Sequence, residues 1–315
     1  AWIDEQVRGK PYGVDIIVPA KYEGKGENVS GAQLAERIPD SYKSYVAELL
    51  ASHGIPAEER PRLAGSGLSG DTGEALLDVA LRHPIKLMVN ALGVPPAYMI
   101  EAGRSSGVPV GALVGAKEHA VKQVRAGVDV IVAQGTEAGG HCGEISTMVL
   151  VPEVVDAVGD RATVLAAGGI GTGRQMAAAL ALGAQGVWTG SMWLTVAEAD
   201  TPPTALDNLL AASSADTVRA RYITGKPARQ LRSAWTEAWA QPGAPAPLPM
   251  PLQGILWGEA SRRFFRSNNR ELANFPVGQI VGRLNSVRNT KDVIGDMVGE
   301  CIETEERLAR LFGRD

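Results

Sequence analysis

One histidine of this 315-residue chain stands inside a run of glycines, where Val128 to Gly143 reads VDVIVAQGTEAGGHCG. His141 is the side chain of that stretch that can exchange protons near neutral pH, because an unperturbed imidazole titrates at about 6.5. Gly135, Gly139, Gly140 and Gly143 remove side chains where backbone turns sharply or approaches a bound molecule. The apolar first half, Val128 to Ala133, has the composition of a strand buried on both faces. A strand that runs into a polar, glycine-rich loop with a histidine is where α/β enzymes place their chemistry, although a tight turn with a surface histidine fits the same residues.

A second constellation follows. Gly168, Gly169, Gly171 and Gly173 close one apolar run, and Gly190 and Ser191 close the next. Backbone N–H groups exposed ahead of a helix bind phosphate, and in barrel enzymes the loops after the last two strands commonly form such a clamp. The run GGIGTGR is neither a dinucleotide fingerprint, since Arg174 stands where a third glycine belongs, nor a Walker loop. Close helix packing is the other reason for glycines at these positions. Glu137 and Glu144 flank His141 and are placed to orient it, while no Ser–His–Asp or HExxH pattern supports hydrolysis. His53, His83 and His119 read as structural or surface residues.

The elements that must position these groups alternate regularly. Strands are expected at 13–18, 85–89, 108–114, 128–133, 163–167 and 186–189, with helices at 74–82, 95–106, 117–126, 152–158 and 173–182 between them. That alternation predicts a parallel sheet with crossover helices. A polar excursion, 21–73, carries an amphipathic helix at 33–52 broken near Pro39. Thr201 is expected to cap a further helix bearing Leu206, Leu209 and Leu210, Gln241 to Pro251 is a stiff connector, and Arg262, Arg263 and Arg266 read as a solvated face. A last helix, 291–311, is expected to bury Val293, Ile294, Met297, Val298, Ile302 and Leu308. The domain reading is a barrel at 1–200, a helical and proline-rich insert at 201–275 and a C-terminal segment at 276–315.

With 45% hydrophobic residues the chain can bury a substantial core, and its net charge of −4 gives no basic excess for nucleic acid or anionic membrane. Cys142 and Cys301 are too few for a disulfide framework or zinc site, so a reducing, cytoplasmic setting is expected. No run approaches a membrane span, and self-association is left open.

The segments AQGTEAGGHCG and VLAAGGIGTGRQMAAALALGAQGVWTGSMWL, in that order, closely resemble the nitronate monooxygenase family of FMN-dependent barrels. The resemblance covers Gly13 to Leu210 and, more loosely, the C-terminal helix. It implies a (β/α)8 TIM barrel with FMN at the C-terminal strand ends, oxidising alkyl nitronates with O2 to a carbonyl compound and nitrite. It implies that His141 removes a proton beside the nitro group of a neutral substrate. Gln134, Gly139 and Gly140 would lie along the flavin, and Gly168, Gly169, Gly190 and Ser191 would hold its phosphate. Asp15 falls where relatives often carry asparagine near the ring, and Leu113 or Val114 where some carry a flavin-contacting lysine. Related flavin-dependent enoyl-thioester reductases share a similar loop, so NAD(P)H-dependent reduction is the alternative activity, and flavin binding without turnover the alternative from another class. Six strands against a barrel's eight lead to the expectation that two βα units belong upstream of Gly13.

Overall fold

The computed structural model describes residues 2–19, 22–27, 29–56 and 70–313. Six parallel strands form the main sheet: β1 (Gly13–Ile16), β2 (Leu87–Asn90), β3 (Val110–Val114), β4 (Val130–Gln134), β6 (Thr163–Ala167) and β7 (Gly186–Trp188). They lie side by side in chain order, as consecutive steps of a (β/α)8 barrel do. Among the described residues β1 and β7 are not paired with each other, so the sheet is open there. The central strands are buried on both faces because Met88, Val89, Ile131, Val132 and Ala133 leave no polar side to face water.

Among the described residues there are twelve α-helices. They are α1 (Trp2–Val7), α2 (Gly31–Glu36), α3 (Asp40–Ser52), α4 (Gly70–Ala80), α5 (Ala97–Ser106), α6 (Lys117–Ala126), α7 (Thr147–Val158), α8 (Gly173–Ala181), α9 (Pro203–Ala211), α10 (Ala234–Ala240), α11 (Leu252–Arg266) and α12 (Thr290–Leu311). The break expected near Pro39 separates α2 from α3. A three-stranded antiparallel sheet joins β5 (Gly140–His141), β9 (Ala228–Leu231) and β8 (Thr217–Ala220), in that spatial order. The helices of the early excursion do not stand alone: Leu34, Ile38, Val46 and Leu50 share a second core with Trp235, Trp239 and Phe264 from α10 and α11. Among the described residues no helix is long and apolar enough to cross a membrane.

Four expectations are corrected. Helix α7 starts at Thr147 and carries Pro152 inside it, because the Glu137 carboxylate accepts the Thr147 N–H (3.0 Å) and caps the helix from another loop. Pro202, not Thr201, stands at the start of α9, and the Thr201 hydroxyl donates instead to the Leu194 carbonyl. Arg263 is buried rather than solvated, with its guanidinium donating to the Pro56 carbonyl. Ile294, Val298 and Ile302 are exposed on α12. The buried face of that helix runs through Met297 and Thr304, and Val298, one residue on from Met297, lies about 100° round the helix from it.

Helix α12 seats on α8 at a point of backbone contact. A Cβ built on Gly173 would lie 2.3 Å from the Met297 carbonyl oxygen and 2.3 Å from the Cys301 nitrogen. The Glu300 carboxylate then accepts the Gly173 N–H (2.7 Å) and the Arg174 Nε–H (2.6 Å). Gly173→Ala must therefore push the two helices apart, and equilibrium unfolding in denaturant is expected to show a loss of about 1–3 kcal/mol. Gly295→Ala, on the open side of α12 with nothing within 4 Å of its Cβ, is expected to gain up to about 1 kcal/mol from helix propensity. Equal effects of the two substitutions would contradict this seating.

Candidate functional site

Two cavities open beside the C-terminal ends of β4, β6 and β7, and Gln134 belongs to the wall of both. The first, about 390 Å³, is lined by Gly139 and Gly140 from the histidine loop, by Gly168 and Gly169 after β6, and by Gly190 and Ser191 after β7. The seven residues that the resemblance assigns to the flavin, apart from Asp15, thus meet in one place. Trp188 and Phe275 add aromatic surface. Asp15 does not join them: it sits on β1 and lines an apolar groove with Trp2, Leu76 and Val79.

The glycines of this cavity have two kinds of reason. At Gly139 a Cβ would lie 2.7 Å from the Gly278 nitrogen, so that residue is small because backbone packs on backbone. At Gly190 a Cβ would meet nothing within 4 Å, so its smallness leaves room in the cavity that protein does not use. Ser191 Oγ accepts the Gly278 N–H (2.8 Å) and keeps its own proton to donate. The N-terminus of α8 does not offer the free anion site expected ahead of a helix, since the Glu300 carboxylate already takes the Gly173 N–H. The loops at 168–169 and 190–191 line the first cavity instead.

The second cavity, about 420 Å³, carries His141. Leu113 and Val114 line it too, where the resemblance would admit a lysine, but a lysine arrives from elsewhere: Lys226, in the loop between β8 and β9. That loop reaches the site because Gly140 and His141 pair antiparallel with Arg229 and Ala228 of β9. His141 Nε2 lies 2.7 Å from Thr224 Oγ1, and Nδ1 has no protein partner among the described residues. Burial, reinforced by the positive charge of Lys226, pulls the imidazole down to about 4, so it is neutral at pH 7 rather than poised near its ordinary value. Burial lowers the Lys226 ammonium as well. Lys226 has no carboxylate partner among the described residues, and no Asp or Glu lines the cavity, whereas His119, Lys122 and Arg219 do.

Neither flanking glutamate orients His141. Glu137 holds the Thr147 hydroxyl (2.9 Å) and N–H, and Glu144 pairs with Arg219 (3.3 Å). The Cys142 thiol donates to the Thr136 carbonyl (3.6 Å), and burial raises it above the ordinary thiol range. Thr224 and Lys226 are the residues sequence reasoning missed. Their signal was present in TVRARYITGKPARQL, two short alternating runs around Gly225 and Pro227, which is the pattern of an antiparallel pair.

The family model described as nitronate monooxygenase matches residues 5–300. The Mycobacterium tuberculosis protein Rv1533 is 51% identical over 99% of this chain and 86% of its own length. A Bacillus subtilis relative that carries the nitronate monooxygenase name is 29% identical over 72% of this chain and 67% of its own. The crystal structure of a nitroalkane oxidase from Streptomyces ansochromogenes superposes with a TM-score of 0.80 at 26% identity, covering 96% of this chain and 85% of that one. This chain belongs to the nitronate monooxygenase family of flavin-dependent oxidoreductases.

Proposed function

We propose that this chain oxidises alkyl nitronates with O2 to a carbonyl compound and nitrite, with FMN in the glycine-lined cavity. The observation that carries the reading is the second cavity: among the described residues the Lys226 ammonium has no carboxylate partner, stands beside a neutral imidazole, and shares with it a wall without Asp or Glu that meets the first cavity at Gln134. A nitronate brings its negative charge to that ammonium, and partial burial strengthens the attraction over its value in water. A cavity of about 390 Å³ with Cβ space left open at Gly190 fits a bound phosphate and ring edge. Gly168, Gly169, Gly190 and Ser191 would hold the phosphate, and Gln134, Gly139 and Gly140 would lie along the ring. FMN held there would supply the redox chemistry between the nitronate and O2.

The electrostatics bear on which substrate is used. A general base works best with a pKa near the operating pH, and an imidazole held at about 4 is a weak one at pH 7. A preformed nitronate needs no proton removed. The site therefore suits the anion better than the neutral nitroalkane that the sequence resemblance would let His141 deprotonate.

Purified protein supplied with FMN is expected to release nitrite and consume O2 with ethyl nitronate, at a kcat/KM on the order of 10² or more above that for nitroethane. Lys226→Met is expected to raise KM for the nitronate roughly tenfold, the effect of losing about 1.4 kcal/mol of charge-assisted binding, without loss of flavin. Gly190→Val is expected to lose FMN while the far-UV circular dichroism stays unchanged, because the new side chain enters cavity space and not protein. NAD(P)H consumption with an enoyl-thioester and no nitrite would overturn the reading in favour of a reductase.

The neutrality of His141 has its own test. Because its pKa falls from 6.5 to about 4 on folding, the unfolded chain binds more protons across that window, and stability falls as pH drops from 6.5 toward 4. Asp15, whose carboxyl desolvation pushes up to about 6, works in the opposite sense, so the wild-type profile alone mixes the two. His141→Gln removes only the histidine contribution. The difference in unfolding free energy between the variant and the wild type is expected to shift in the variant's favour by about 2–3 kcal/mol between pH 7 and pH 4. Parallel pH profiles would mean that His141 titrates normally.

A further inference from the structure

The 2.7 Å contact between His141 Nε2 and Thr224 Oγ1 can be made in two ways: the ring donates to the hydroxyl, or the hydroxyl donates to the ring. Other contacts of the hydroxyl separate them. Thr224 Oγ1 accepts the Lys226 backbone N–H (3.4 Å), which uses one of its two lone pairs and leaves the hydroxyl proton to be placed. Its own proton has one acceptor within reach among the described residues, and that is His141 Nε2. A half-buried hydroxyl that did not donate there would leave its proton unpaired, a loss of the order of one hydrogen bond.

From this geometry we infer that Thr224 donates its hydroxyl proton to His141 Nε2 and thereby holds the imidazole as the Nδ1–H tautomer, a neutral hydrogen-bond donor toward a substrate oxyanion. Thr224 is thus a positioning residue that acts through His141. The loop between β8 and β9 then supplies two things to the second cavity: the hydroxyl that fixes the tautomer and, two residues on, the ammonium that disfavours a second proton on the ring. A nitronate oxygen would receive Nδ1–H from one side and Lys226 from the other, whereas proton removal from carbon would need a bare nitrogen that this tautomer does not present. The inference rests on the second cavity being the nitronate site, and it deepens that reading by giving His141 the part of donor.

The tautomer is directly observable. Protein labelled with 15N-histidine and free of flavin gives, at pH 7, long-range 15N–1H correlations that distinguish the protonated from the bare ring nitrogen, and His141→Gln identifies the His141 signals among the four histidines. The expected result is a protonated Nδ1 and a bare Nε2 in the wild type, the same in Thr224→Ser, and loss of that preference in Thr224→Val. A wild-type ring protonated on Nε2, or a Thr224→Val ring with its tautomer unchanged, would overturn the inference. In the FMN-loaded enzyme, Thr224→Val is expected to lower kcat/KM for ethyl nitronate five- to tenfold and Thr224→Ser less than twofold. Absence of nitronate turnover in the loaded wild type, with the tautomer as stated, would fail the proposed activity and leave the Thr224–His141 pairing supported. Turnover with the opposite tautomer would fail the pairing alone.

Discussion

The site exists because the loop after β4 lies against other backbone at distances that a side chain would forbid. A Cβ on Gly143 would stand 2.6 Å from the Gly115 carbonyl oxygen, and one on Gly139 would stand 2.7 Å from the Gly278 nitrogen. Between these two clamps Gly140 and His141 make ladder bonds with β9. His141 is therefore located by main chain on three sides. The same clamps bring Gly278 under Ser191, whose Oγ accepts the Gly278 N–H, while the next residue, Gln279, donates its N–H to the Glu137 carbonyl, so the loop after β7 is tied to the histidine loop through this segment. Both cavities take their shape from this seam, and Gln134 is the side chain left standing between them.

The charged side chains that line the second cavity share one sign, and a buried cation stands beside it. Arg229, 9% exposed, sends its guanidinium to the Thr136 carbonyl (2.8 Å) and the Thr217 hydroxyl (3.1 Å), both neutral acceptors. Lys122, Arg219 and Lys226 stand on the cavity side, and burial keeps His141 from adding a further charge. A site of this kind attracts an anion without offering a strong base. That distinguishes a nitronate, which arrives charged, from a nitroalkane, which must first lose a proton.

Much of this was legible in the sequence. The βα alternation gave the order of the six strands because each central strand is a continuous apolar run and α5 and α6 are each followed by glycine in the left-handed region, at Gly107 and Gly127. The glycine clusters gave the first cavity because backbone exposure has a compositional signature. What lay hidden were contacts between distant segments. Glu137 looked like a partner for His141 by proximity in sequence, yet it caps α7, and the partner is Thr224, 83 residues along the chain. Gly173 looked like part of a phosphate loop and is instead the contact point of α12. Ile294, Val298 and Ile302 fit an amphipathic pattern whose buried face the fold places through Met297 and Thr304. Local periodicity says that a helix has an apolar side; it does not say how that side is shared among neighbours.

The central claim is that the glycine-lined cavity and the basic cavity work on one flavin and one nitronate. Its most direct measurement is the visible absorbance of the FMN-loaded protein mixed with ethyl nitronate in the absence of O2. The account predicts that the oxidised-flavin absorbance bleaches on mixing and returns with nitrite release when O2 is admitted, while NADH leaves it unchanged. Flavin that stays oxidised with nitronate and bleaches with NADH would contradict it.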